Sequence, residues 1–154
     1  MSVQIRLACD ADASAISQVV LAALRESNAA DYSPEIIEQV AANFSPAAIL
    51  GLLEQRQVFV ATDGQQVIAT ASLDRDVVRS VFVDPRHQGS GVGRQLMAAI
   101  HQAATLAGID TLRVPSSLTA EGFYRRLGYA VQGEQFHGAE RTIIMQKHLP
   151  ASTA

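Results

Sequence analysis

Val3-Gln4-Ile5-Arg6-Leu7 alternates apolar and polar side chains, the two-residue period of a strand with one buried face. From Asp10 the period changes: Ile16, Val19, Val20, Ala23 and Leu24 fall on one side of a helix, with Asp10 or Asp12 as its expected cap. Ser33-Pro34-Glu35 combines a capping serine with proline at the first helical position and predicts a second helix, with Ile36, Ile37, Val40 and Phe44 on its apolar side. Ser45-Pro46 repeats that signal and starts a third helix, to about Gln55. Strands are expected over Gln57 to Thr62 and Gln66 to Leu73, around the hairpin dipeptide Asp63-Gly64, and over Val77 to Val83, closed by Asp84-Pro85.

A longer helix is expected from Gly91 to Ala107, with Val92, Leu96, Met97, Ile100 and Ala104 on one face and Gly108 as its C-terminal cap. Thr111 to Val114 reads as a strand and Thr119 to Leu127 as a short helix ended by Gly128. Tyr129 to Phe136 and Arg141 to Leu149 read as a final strand pair. The order β-α-α-α-β-β-β-α-β-α-β-β predicts an α/β (α+β) fold with a mixed, mainly antiparallel sheet flanked by helices. No repeat or linker divides the chain, so residues 1–150 are expected to form a single domain and residues 151–154 a C-terminal tail.

Composition changes this picture little. A chain of 154 residues can bury roughly 70% of its unfolded surface without a disulfide or metal staple. Cys9 is the lone cysteine and reads as a small residue at a strand end. With polar residues where a signal peptide needs an apolar core, and no membrane-length apolar run, the expected location is cytoplasmic. A net charge of −3 argues against a nucleic-acid partner.

The most informative segment is Val81-Phe82-Val83-Asp84-Pro85-Arg86-His87-Gln88-Gly89-Ser90-Gly91-Val92-Gly93-Arg94. It runs strand, turn, glycine-rich loop, helix. Glycines at 89, 91 and 93 let backbone N–H groups approach a ligand, and a helix N-terminus adds partial positive charge. Such a cradle suits a phosphate or diphosphate. Arg94 stands where a dinucleotide fingerprint needs glycine, and no lysine supplies a P-loop.

Gln88-Gly89-Ser90-Gly91-Val92-Gly93 instead resembles the Q/R-x-x-G-x-G/A signature of the GNAT superfamily of N-acetyltransferases. A second block, Ala120-Glu121-Gly122-Phe123-Tyr124-Arg125-Arg126-Leu127-Gly128-Tyr129, resembles that family's A-x-x-F-Y-x-x-L-G-Y/F segment. The resemblance covers nearly the whole chain. It implies acetyl-CoA as cosubstrate and no metal. It also implies a pantetheine arm along the backbone of Val81, Phe82 and Val83, two neighbouring strands splayed apart to admit it, and a diphosphate on amides from Gly89 through Arg94. Ser117, Ala120 and Phe123 would shape the channel. Many members carry asparagine at the position of Ser117; serine offers a shorter donor and acceptor, and some branches show S-x-T-A there. Arg86, Arg94, Arg125 and Arg126 are candidates for the outer phosphates.

Tyr124 matches the tyrosine that in many relatives protonates the departing sulfur. Phenol and thiol pKa values of about 10 and 8.5 make full transfer uphill by roughly 2 kcal/mol, so a strengthening hydrogen bond would suffice. A backbone N–H of Val81–Val83 is the candidate to polarise the thioester carbonyl. For the base, Asp74, Asp76 and His137 are candidates, the aspartates reading better as turn residues. Glu26, Asp31 and Tyr32 are candidates for the acceptor groove. The expected function is transfer of acetyl from acetyl-CoA to a primary amine of a small molecule, peptide or protein, in a protein that can pair as a homodimer and has no membrane partner. An acyl-CoA-binding sensor or interaction module without turnover fits the same donor residues.

Overall fold

A computed structural model describes residues 3–150, so the expected tail at 151–154 lies outside the described residues. The strands are β1 (Val3–Leu7), β2 (Gln57–Asp63), β3 (Gln66–Asp74), β4 (Val77–Val83), β5 (Thr111–Ser116), β6 (Ala130–His137) and β7 (Glu140–His148). The helices are α1 (Ala13–Glu26), α2 (Pro34–Ala41), α3 (Pro46–Gln55), α4 (Val92–Leu106) and α5 (Glu121–Arg126). The element order is the one read from the sequence.

The seven strands lie in the order β1-β2-β3-β4-β5-β7-β6. Five neighbouring pairs are antiparallel and one, β4 with β5, is parallel. β7 sits inside β6 because of what each can bury. Ile143 and Met145 of β7 are in the core, whereas β6 is polar and mostly exposed, which suits an edge. β3, buried along nearly its whole length, lies in the interior of the sheet between β2 and β4.

Helices cover both faces. On one, Ile16, Val20 and Leu24 of α1, Ile37 of α2 and Ile49 of α3 pack with Val58 and Val60. On the other, Leu96, Met97 and Ile100 of α4 pack with Ile68, Val78, Leu112 and Met145. These three α4 side chains are fully buried, which stabilises the fold by roughly 5–9 kcal/mol in transfer free energy. Gly108, at φ +79°, closes α4, with its N–H on the Thr105 carbonyl and that of Ile109 on Ala104.

Ser33 and Ser45 cap α2 and α3 as their Ser-Pro signals predict, accepting from Ile36 N–H at 3.3 Å and Ala48 N–H at 3.2 Å. The expected cap of α1 differs. Asp12 gives α1 no side-chain cap; its carboxylate takes the Arg6 guanidinium at 2.8 and 2.9 Å and the Cys9 N–H at 2.8 Å. A charged pair reaching back to β1 outcompetes the local cap.

Candidate functional site: a forked cleft beside a glycine turn

β4 and β5 touch at their starts and then part. Their register consists of one pair, Val77 with Arg113, reinforced by Arg113 N–H on the Asp76 carbonyl at 2.9 Å. Toward their C-terminal ends the strands border a cleft of about 540 Å³, lined on one side by Val81 and Phe82 and on the other by Val114 and Pro115. β4 is also irregular on its β3 side. The pairing skips between Thr70–Phe82 and Ser72–Arg79, and Ser80 adopts φ +55°. This bulge and the fork free part of the β4 backbone from the ladder on both sides.

The chain leaves Val83 through a tight turn. Buried Asp84 accepts from its neighbour's backbone, Arg86 N–H, at 3.0 Å, and holds the Arg86 guanidinium at 3.0 and 3.2 Å, which lowers the Asp84 pKa. Gln88 donates to Ser27 Oγ at 2.8 Å, tying the loop to the end of α1, and Ser90 Oγ donates to the His87 carbonyl at 2.5 Å. Gly89 and Gly91 adopt φ +79° and +85°, a region that side chains disfavour, and the space a Cβ would fill there is open to 4 Å. The first helical bond of α4 runs from Gln95 N–H to Gly91, so the N–H groups of Val92, Gly93 and Arg94 have no acceptor within the helix.

Gly93 does something else. A Cβ there would meet the Phe123 ring at 3.2 Å and Val83 Cγ2 at 3.6 Å. Its missing side chain seats α4 against α5 and does not widen the cradle. The arginines also divide. Arg86 is bound to Asp84 and Arg125 to Glu121 at 2.6 Å, while Arg94 is exposed and Arg126 lies over Gly122 of its own helix.

Ser117, Ala120 and Tyr124 line the far side of the cleft. The Ser117 hydroxyl and carbonyl both accept from Ala120 N–H, at 3.1 and 3.2 Å, shaping the turn into α5. Phe123 does not line the cleft; it meets Tyr124 edge-on with ring centroids 5.1 Å apart, and Tyr124 meets Tyr129 at 5.6 Å. Tyr124 is 3% exposed, and it lines the cleft. Burial, with a lesser contribution from Tyr129, pushes its pKa well above the usual phenol value, so the group stays protonated. Tyr129 is held by His101 Nε2 at 2.8 Å.

The α1–α2 connection, expected at the acceptor groove, and the β6–β7 hairpin meet at the same cleft. Asn28 and Tyr32 line it from the α1–α2 connection, and Gln135, His137 and Glu140 from the β6–β7 hairpin. The Tyr32 hydroxyl donates to the Arg141 carbonyl at 2.7 Å and accepts from Leu118 N–H at 2.8 Å. Glu26 and Asp31 do not line the cleft, and Asp31 accepts from Thr119 Oγ1 at 2.8 Å. Asp74 and Asp76 lie outside it as well, paired with Arg79 and Arg113 at 3.5 and 3.7 Å. Sequence reasoning missed Arg56, Arg79, Arg113 and Glu140, all on the cleft wall. Their positions depend on pairings between distant strands, which leave no local signal. No group of three or more His, Cys, Asp or Glu among the described residues is placed to hold a metal ion.

A family model described as "Acetyltransferase (GNAT) domain" matches residues 28–148. The peptidyl-lysine N-acetyltransferase YjaB of Salmonella typhimurium is 29% identical over 98 residues, covering 63% of this chain and 61% of that protein, so the match spans less than two thirds of the relative's length. Among solved structures, a GCN5-related N-acetyltransferase from Rhodopseudomonas palustris superposes with a TM-score of 0.92 at 25% identity over 97% of both chains. The PaiA N-acetyltransferase of Thermoplasma acidophilum, in complex with coenzyme A, superposes with a TM-score of 0.84 at 18% identity, covering 96% of this chain and 99% of its own.

Proposed function

The chain belongs to the GNAT acetyltransferase family, and on that premise we propose that it moves an acetyl group from acetyl-CoA to a primary amine of a small molecule or peptide. The observation that carries this reading is the fork between β4 and β5, which leads directly into the unpaired amides at the start of α4. The cradle has room for the donor's diphosphate, since nothing fills the space beside Gly89 and Gly91.

Acetyl-CoA supplies an activated acyl carbon and a thiolate leaving group. The chain's own residues bind and orient. N–H groups of residues 89–94 take the diphosphate, and the side of Val81–Val83 that faces β5, left unpaired by the fork, takes the pantetheine arm as an added strand would. Gln88 and Ser90 hold the loop in shape, and Val92 anchors it in the core. Arg94 and Arg126 remain the candidates for the outer phosphates, because Arg86 and Arg125 have carboxylate partners already.

The acceptor enters from the α1–α2 side, past Tyr32, His137 and Glu140. As the nitrogen–carbon bond forms, the carbon–sulfur bond breaks. The Tyr124 hydroxyl donates a hydrogen bond that strengthens as the sulfur gains charge, and the proton released by the amine reaches the departing thiolate through water in the cleft. Burial keeps the Tyr124 hydroxyl protonated, which suits a hydrogen-bond donor and makes full proton transfer to sulfur more uphill than for an ordinary phenol.

The same reading takes residues 1–150 as one cytoplasmic domain able to pair as a homodimer, for which exposed Val131 and Phe136 on the β6 edge offer apolar surface. No single helix among the described residues is long and apolar enough to cross a membrane.

A free-thiol assay with acetyl-CoA against polyamines, amino acids, aminoglycosides and peptide N-termini tests the proposal. Thiol release that needs both donor and acceptor, with acetylated product by mass spectrometry, is expected. Donor binding without product across the whole panel would instead support the sensor.

A further inference from the structure

Arg56 follows α3 and turns its guanidinium into the cleft. Nη1 donates to Ser80 Oγ at 3.2 Å and reaches Ser72 Oγ at 3.5 Å. The residue is half-buried, yet no carboxylate of the described residues lies within 4 Å of it. An arginine carries five N–H donors in a planar fork, and here its recorded partners are two hydroxyls. Arg79 lies close enough to lower the Arg56 pKa further, after the larger effect of burial; Asp74, which acts the other way, pairs with Arg79.

Arg56, Arg79 and Arg113 all line the cleft, but Arg79 and Arg113 hold Asp74 and Asp76 just outside it, which leaves Arg56 as the arginine of this wall with no carboxylate partner among the described residues. A half-buried cation short of a counter-ion is costly, and a ligand oxyanion relieves that cost. Donor phosphates do not reach it. Ser80 lies three residues before Val83, roughly 10 Å along the strand. Ser72 and Ser80 also border a small void with Ile16 and Val20, on the α1–α3 face, opposite the face that α4 covers.

We infer that the acceptor carries a carboxylate beside its amine, docked on Arg56 next to Ser80, so that the substrate is a small amino acid rather than a simple amine. A carboxylate matches the planar guanidinium fork in a way that a compact point charge does not. The cleft of about 540 Å³ must also hold the end of the pantetheine arm, which leaves room for a small acceptor. This specificity rests on the acetyl-transfer reading above, and on that reading the carboxylate sits beside the strand segment that holds the thioester.

The test uses the full chain, acetyl-CoA and acceptor pairs that differ in the anion alone: glycine and glycinamide, β-alanine and β-alaninamide, phenylalanine and phenylalaninamide. Amidation lowers the pKa of an α-amine and raises its neutral fraction, so a preference for the acid runs against intrinsic reactivity. The acid member of at least one pair is expected to show a kcat/KM roughly tenfold or more above its amide, the range of a charged hydrogen bond. Arg56→Gln, which can still bond the serines, should bring that ratio near one while KM for acetyl-CoA and Tm stay put. Arg56→Lys should fall between. Equal use of acids and amides, turnover confined to peptide amines, or a ratio that survives Arg56→Gln in a folded variant overturns the inference. If acetyl-CoA binds but no amine is acetylated, the catalytic reading fails separately. The subsite is then judged by calorimetric titration of N-acetyl-β-alanine and its amide into protein saturated with coenzyme A. Tighter binding of the acid, lost in Arg56→Gln, sustains it; equal or absent binding sinks it.

Discussion

A Cβ on Gly93 would stand 3.2 Å from the Phe123 ring, so α4 and α5 meet at a position where any side chain intrudes. Phe123 in turn lies edge-on to Tyr124. Gly93→Ala should therefore push Phe123 aside, cost about 1–3 kcal/mol as overpacking does, and lower kcat by disturbing Tyr124. Gly91→Ala meets open space but must hold φ +85°, at a cost of roughly 1–2 kcal/mol, and should weaken coenzyme A binding first. Thermal melts and calorimetry with coenzyme A separate the two. A Gly93→Ala protein that loses coenzyme A affinity while keeping kcat would place Gly93 in the cradle instead.

Tyr124→Phe removes one hydroxyl from the cleft wall and keeps the ring that packs against Phe123 and Tyr129, so stability should change little. Turnover should fall about 10²-fold if the hydroxyl donates to the departing sulfur, with the acetyl-CoA Kd unchanged. Burial raises this pKa, so the rate's alkaline limb should not follow an ordinary phenol titration near pH 10. Pre-steady-state rates against pH, in both proteins with one productive acceptor, decide the matter. Equal rates remove the hydrogen-bond-donor role.

Features written in consecutive residues were legible before any coordinates. Ser33-Pro34 and Ser45-Pro46 start helices, and Gly89 through Gly93 enter one, because each signal acts within a turn of itself. Features set by tertiary pairing were not. Ser80 carries no glycine-like mark of its left-handed backbone; its bulge exists because β3 and β4 pair out of step around it. Arg56 is 24 residues from Ser80 and Tyr32 is 109 from Arg141, so neither contact leaves a periodicity. Asp12 shows the same limit in miniature, since a nearby helix start suggested a cap and β1 supplied a stronger partner.

Tyr32 joins three segments through one oxygen, and Tyr32→Phe cuts both bonds. Leu118 N–H and the Arg141 carbonyl would each lose a partner, at a cost of about 1–3 kcal/mol. The α1–α2 connection should loosen over the acceptor side, raising KM for the amine more than KM for acetyl-CoA. Faster hydrogen exchange at Leu118 reports the lost bond directly. Unchanged exchange there would mean that water replaces the hydroxyl without loosening the segment.

Asp12 offers a pH-dependent test of the fold. Its carboxylate is held at about 2, below the ordinary 3.8, chiefly by the Arg6 hydrogen bonds, with burial acting the other way. Between those values the unfolded chain binds more protons than the folded one, so stability rises with pH in that window. The contribution is complete above pH 3.8 and disappears as pH falls through about 2. With Asp12 10% exposed and Arg6 46% exposed, solvent screening leaves about 1–2 kcal/mol of the interaction. Asp12→Asn keeps an acceptor for Cys9 N–H but drops the charge. It should unfold at lower urea than the parent at pH 7, with the two curves converging as the buffer approaches pH 2. A difference that stays constant across this range would assign the loss to geometry rather than charge.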